Sequence, residues 1–165
     1  MKFVRLLRHL LADQRSVSRL LSKDDLAAIH VAISDGEKRH DGEIRFCVEA
    51  GMPWSYLKRD ASARQRAVML FSKLRVWDTE RNTGVLVYLL LADKTIEIVA
   101  DRGIARLVPQ PVWDAICSGI ATALREGRGG AGVVAAIGGI GDQLAMHFPH
   151  RDDDRNELPD APVVL

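Results

Sequence analysis

Two cysteines, Cys47 and Cys117, are all that the chain carries, and neither belongs to a C-x-x-C pair or a ligand cluster. This excludes a disulfide framework, a thioredoxin-like redox pair and a cysteine-based zinc site. Both cysteines read as small buried hydrophobes in a reducing compartment, which makes cytoplasm the expected location. Excess charge of one sign is also missing: 23 Lys and Arg stand against 22 Asp and Glu, a net +1. No global basic field and no nucleic-acid-reading motif is present, so nucleic acid is not an expected partner. No apolar run approaches the ~20 residues of a membrane span. The start of the chain, MKFVRLLRHLLADQRSVSRLL, is leucine-rich, but Lys2, Arg5 and Arg8 break any uninterrupted apolar core of the kind a signal peptide needs. The motifs G-x-S-x-G and H-E-x-x-H are absent, and no covalent nucleophile stands paired with a base.

What is present describes an ordinary globular chain: 47% hydrophobic and 27% charged residues in 165, enough for one domain with a real core. Gly127, Gly129 and Gly132 have the G-x-G-x-x-G spacing of a dinucleotide-binding turn. That turn works only when a buried strand runs into it and a helix follows. The residues before it carry Pro111 at a first helical turn and Trp113, Ile116, Ile120, Ala123 and Leu124 at helical spacing. The glycines therefore read as a helix–turn–helix joint with Gly127 as a left-handed C-cap, and no nucleotide is expected.

The order of elements follows from periodicity. Ser22 with Asp25 forms a capping box that opens a helix buried through Leu26, Ile29 and Ile33. Residues 42–51 alternate Ile44, Phe46 and Val48 against Glu43, Arg45 and Cys47, the pattern of a strand with one wetter face. Ser62 with Gln65 caps the next helix, whose apolar positions Ala67, Leu70, Phe71, Leu74 and Trp77 place Trp77 in the core. Residues 85–92 are continuously apolar, which predicts a central strand covered on both faces. Asp93 and Lys94 turn it into an antiparallel partner at Thr95–Ile98, and two helices complete the domain. The βαβ unit requires parallel strands and a right-handed crossover. The fold class is thus α/β: a three-layer α/β/α sandwich with a small mixed sheet.

This topology brings three loops to one rim. They carry Asp41 and Glu43, then Asp78, Glu80 and Asn82, then Asp101. Oxygen-rich groups without histidine or cysteine suit Ca2+ or Mg2+ better than zinc, although Asp and Asn also populate turns for local backbone reasons. His147 and His150 stand near three aspartates at 152–154, in a segment that reads as a solvated tail.

The stretch RVWDTERNTGVLVYLLLADKTIEIVADRGI, residues 75–104, followed by a helix and then REGRGGAGVVAAIGGIGDQL, resembles the TPM domain family. The likeness runs over about residues 20–148, with residues 77–104 its most specific part. The resemblance implies a TPM-domain-like α/β/α sandwich with a glycine segment between two C-terminal helices. It also implies a cation site, for Ca2+ or Mg2+, on the rim bearing Asp78, Asn82 and Asp101. Plant members associated with photosystem II repair have been described as acid-phosphatase-like, and many bacterial members have no assigned activity. Were this chain such an enzyme, metal-assisted phosphomonoester hydrolysis would use Arg102 or Arg81 to neutralise developing charge. The chain departs from the family pattern at Thr83, where a second asparagine is common, and at Asp101-Arg102-Gly103, where a glycine-richer strand end is typical. It also shows neither the export signal nor the membrane anchor that many relatives carry.

Three regions result: an amphipathic helix at 1–21, the TPM-like domain at 22–148, and a charged tail at 149–165, expected to be mobile unless Pro162 to Leu165 pairs with something. In the first region Phe3, Leu6, Leu7, Leu10 and Leu11 form a stripe ringed by Lys2, Arg5, Arg8 and His9. Such a helix either docks on its own domain or meets a membrane surface or a membrane-bound protein. The alternative to an enzyme is accordingly a non-catalytic domain that recruits a membrane or envelope protein partner.

Overall fold

The computed structural model describes residues 3–151 and 156–165. Apolar alternation and cap chemistry place the elements β1 (Ile44–Glu49), β2 (Val85–Leu90), β3 (Thr95–Ala100) and β4 (Val163–Val164) among α1 (Phe3–Leu11), α2 (Gln14–Leu20), α3 (Lys23–Glu37), α4 (Trp54–Lys58), α5 (Ala63–Lys73), α6 (Arg102–Ala105), α7 (Gln110–Arg125) and α8 (Gly129–His147). Both capping boxes form: Ser22 with Asp25 opens α3, and Ser62 with Gln65 opens α5. Each satisfies two backbone N–H groups that a helix start leaves without partners.

The sheet order is β3-β2-β1-β4, with β1 parallel to β2 and β4, and β3 antiparallel to β2. Ile44, Phe46, Val48, Val85, Val87 and Leu89 face one layer, where α3, α7 and α8 supply Ile29, Ile33, Trp113, Ile120, Ile137 and Ile140. Cys47, Leu86, Tyr88 and Leu90 face the other, against Leu57 of α4 and Ala63, Ala67 and Leu70 of α5. The α/β/α sandwich is therefore observed. Gly127 has φ +72° at the end of α7, and Gly132 lies so close to α7 that a Cβ there would meet that of Ala123 at 2.4 Å. A helix, not a strand, runs into the glycine turn.

Three sequence expectations are corrected. The wetter face assigned to β1 is dry, because every residue from Ile44 to Glu49 is buried. Cys47 packs in one cluster with Leu57, Ala67 and Leu158, β4 closes the edge of the strand, and Glu49 is paired with Arg66. Trp77 is not core: the helix ends at Lys73, and Trp77 lies beyond it, 49% exposed, its indole donating to the Ser72 carbonyl. The first helix is two helices, since Asp13 caps α2 and interrupts α1. Two short helices, α4 and α6, were not anticipated. At the end of the tail, Val163 and Val164 do pair, with Cys47 and Val48. Asp152 to Asp154 lie outside the described residues, as do Met1 and Lys2.

Candidate functional site

Parallel strands start at one end of the sheet, and the antiparallel β3 ends there. Asp101 donates its backbone N–H to Gly84 O at 2.8 Å, and Gly103 donates to Asn82 O at 2.9 Å, which stitches the β3–α6 connection to the start of β2. The approach is close enough that a methyl group at Gly103 would sit 2.5 Å from both the Arg81 and Asn82 carbonyl oxygens. Asn82 takes φ 56°, a left-handed conformation that asparagine tolerates better than most residues. The third loop joins through Thr83, whose hydroxyl donates to Asp41 O at 3.1 Å. The three loops anticipated from sequence thus converge.

Their charged groups are differently arranged from a simple acidic cluster. Asp41 receives Arg81 at 3.1 Å and the Arg151 side chain at 2.5 Å, together with the Arg151 backbone N–H at 2.8 Å. Burial alone would raise the Asp41 carboxyl, but the arginines outweigh it and hold the group below the usual carboxylate range. Asp78 is exposed and pairs with Arg75 at 2.5 Å. Glu80 lies 3.6 Å from Arg151, and Glu43 accepts the Glu157 backbone N–H at 2.8 Å. The Asn82 side-chain oxygen accepts from Arg102 Nε at 3.1 Å.

Asp101 differs from all of these. Its Oδ1 caps α6 by accepting the Arg102 N–H at 2.6 Å, while its Oδ2 is buried and has no hydrogen-bond partner among the described residues. A buried polar atom without a partner costs about 1–3 kcal/mol and calls for a physical reason. Asp101 and Asn82 are bridged by Arg102, whereas Asp78 is held by Arg75 on its own turn. Among the described residues, no three His, Cys, Asp or Glu side chains are grouped to hold a metal. The oxygens that these loops carry are Asp101 Oδ2, the Asn82 amide oxygen that accepts from Arg102, and the Arg81 and Asn82 carbonyls that Gly103 packs against.

The opposite end holds a network that sequence reasoning missed. Asp93, in the β2–β3 turn, accepts from Arg5 Nε and Nη2 at 3.2 and 2.9 Å. It also faces His9 Nε2 at 3.1 Å. His9 Nδ1 accepts the Met52 N–H at 3.0 Å, so the ring proton sits on Nε2 and points at Asp93. Burial pushes the Asp93 carboxyl up, but Arg5 and His9 hold it low. The available signal was the i, i+4 spacing of Arg5 and His9 on one side of α1.

Between the two ends, Arg66 and Glu49 form a two-pronged buried pair that also accepts the Tyr88 hydroxyl at 2.6 Å. Burial first, then Glu49, pushes the Tyr88 phenol well above its ordinary range. Cys47 beside them is pushed up to about 12 by burial, which removes it as a thiolate nucleophile. Among the described residues no buried polar atom of this trio lacks a partner, so it reads as a structural tie.

A three-layer sandwich with a mixed four-stranded sheet, a glycine joint between its last two long helices and a polar rim at the strand starts defines the class of fold. Residues 16–143 match the TPM domain family, and the chain belongs to it. Among solved structures it is similar to the BA42 protein from the psychrophilic bacterium Bizionia argentinensis sp. nov., determined by NMR. The two are 32% identical with a TM-score of 0.77, over 88% of this chain and 95% of that one. No curated protein sequence matches the chain.

Proposed function

We propose that this TPM domain binds a divalent cation of the Ca2+ or Mg2+ type at its strand-start rim, with Asp101 as the anchoring carboxylate. The observation that carries the reading is Asp101 Oδ2, a carboxylate oxygen buried without a partner among the described residues, in the loop whose Gly103 packs against the Arg81 and Asn82 carbonyls. Such donors fit hard cations. Asn82 Oδ1 joins the ligand set when Arg102 gives up its 3.1 Å contact. Asp78 joins when its exposed pair with Arg75 opens, and surface ion pairs of this kind are worth only ~0–1 kcal/mol.

A bound cation would polarise a phosphoryl oxygen, which is how weak phosphatase-like activity would arise at this rim. Arg102, exposed beside the site, and Arg81, stacked on the Phe148 ring at 4.7 Å, supply positive charge to a phosphate. Asp101 orients Arg102 by capping the helix that begins with it. The test is a Ca2+ and Mg2+ titration followed by two-dimensional NMR, run beside a phosphomonoester turnover assay on the same sample. Saturable shifts confined to 78–84 and 101–103, with turnover lost in Asp101→Ala, support a cation-dependent enzyme. Shifts without turnover support a cation-binding domain alone, and no shifts at millimolar metal overturn both.

A second reading has a separate observation behind it. The domain would be non-catalytic and recruit a membrane or envelope protein partner through α1, whose apolar side chains are exposed. Among the described residues no helix is long and apolar enough to cross a membrane.

A further inference from the structure

At 100° per residue, Phe3, Val4, Leu7, Leu10 and Leu11 occupy one arc of α1 with Leu6 at its edge, and Arg5 and His9 occupy the opposite arc. A helix that served only its own domain would bury the first arc. This one buries the second: His9 is buried, Arg5 and the edge residue Leu6 are partly so, and the grip is the Asp93 network together with Met52 and the Ala61 carbonyl. His9 O lies so close to Gly51 that a Cβ there would meet it at 2.7 Å, which fixes the helix against the end of β1. The apolar arc is left facing out, with Phe3 71%, Val4 65%, Leu7 41%, Leu10 64% and Leu11 77% exposed.

We propose that this outward face lies in the interfacial region of an anionic phospholipid bilayer, with α1 parallel to the membrane plane. Charge complementarity selects the occupant. Arg5 is taken up by Asp93 and Asp60, and the first twenty residues of a nearly neutral chain still contain Lys2, Arg8, Arg15 and Arg19 against the single acid Asp13. Arg8 flanks the apolar arc, and Lys94 stands next to the clamp residue Asp93; both are exposed and neither has an ion-pair partner among the described residues. Asp13, the local anion, is held low by the Ser16 hydroxyl and backbone that it caps.

Size argues in the same direction. A nine-residue helix is only ~14 Å long, and a standard protein interface of ~800 Å² per partner would have to extend beyond it. A bilayer requires no matching pocket, and apolar side chains flanked by cations are what an interfacial helix presents to it. A cavity of about 540 Å³ adds a second apolar feature at this end, lined by Leu20, Leu89, Leu91 and Ile96 together with Lys94 and Arg125.

The proposal does not rest on the cation site, which lies at the other end of the sheet. It is tested by sedimenting the full chain with vesicles of phosphatidylcholine alone and of phosphatidylcholine mixed with phosphatidylglycerol. Binding is expected to the mixed vesicles, weakening as salt rises. Leu7→Ser and Leu10→Ser are each expected to lower the partition coefficient by about tenfold. Arg8→Gln should lower it by about fivefold. The thermal midpoint should stay unchanged in all three, because the side chains are exposed. Leu10→Trp should give blue-shifted emission when mixed vesicles are added. Failure to sediment with either vesicle would overturn the proposal, as would binding indifferent to these substitutions. Dimerisation abolished by Leu7→Ser, without vesicle binding, would overturn it in favour of a second copy of the chain.

Discussion

At the strand-exit end of the sheet, Asp93 receives both Arg5 nitrogens and the His9 ring N–H, and both of its oxygens are occupied. At the strand-start end, Asp101 uses one oxygen to cap a helix and keeps the other buried without a partner among the described residues. The same residue type, at opposite ends of neighbouring strands, is satisfied in one place and left open in the other. A satisfied carboxylate holds structure together, and here it clamps α1. An open one lowers the stability of the folded chain unless something else binds it. On the proposed reading, the two ends of one sheet divide between holding the fold and binding a cation.

The largest perturbation should fall between the two ends. Arg66→Ala leaves Glu49 buried without its cation, and breaking a buried pair in this way costs about 3–5 kcal/mol. Denaturant melts should show both ends lost together in one transition, and separate transitions would show that the sheet does not couple them. Asp93→Ala acts on one end only. It removes charge-assisted hydrogen bonds from Arg5 and His9 and should cost about 2 kcal/mol. Hydrogen exchange of α1 amides should accelerate while amides at 82–84 and 101–103 keep their protection.

A smaller effect is expected with pH. His40, next to Asp41 in sequence, is buried between Gly36 and Gly141, and burial lowers its pKa below the ordinary value of 6.5. The unfolded chain therefore takes up this proton first, so the contribution of neutral His40 is complete above pH 6.5 and is lost as pH falls through the lower folded pKa. A thermal midpoint that declines below pH 6.5 in the parent, and declines less in His40→Gln, is the expected record. The smallest effect is the most diagnostic: Asp101→Asn keeps the capping oxygen and removes a buried charge, so metal-free stability should change by less than ~0.5 kcal/mol or rise. A large loss would mean that Asp101 is a structural carboxylate like Asp93.

The elements that place the rim were readable because each depends on local signals. Ser22 with Asp25 and Ser62 with Gln65 fixed helix starts, and the unbroken apolar run before Asp93 marked β2 as covered on both faces. The convergence of Asp41, Asn82 and Asp101 followed from strand direction alone. What pairs with each of them did not. Arg151 meets Asp41 from 110 residues away, and no local pattern encodes such a contact. Trp77 was misplaced because helical spacing continues past Lys73, whereas the chain turns at Arg75, which takes φ 57°. The amphipathicity of α1 was plain, but which arc faces the domain depends on Asp93, a residue 84 positions beyond His9. Sequence periodicity shows that a helix has two faces and not which one is buried.

The most direct test of the central claim compares the thermal midpoints of the parent chain and Asp101→Asn, with and without millimolar Ca2+. A ligand that binds only the folded state raises its midpoint in proportion to occupancy. The account predicts that Ca2+ stabilises the parent and leaves Asp101→Asn unchanged. Equal stabilisation of both proteins, or of neither, would contradict it.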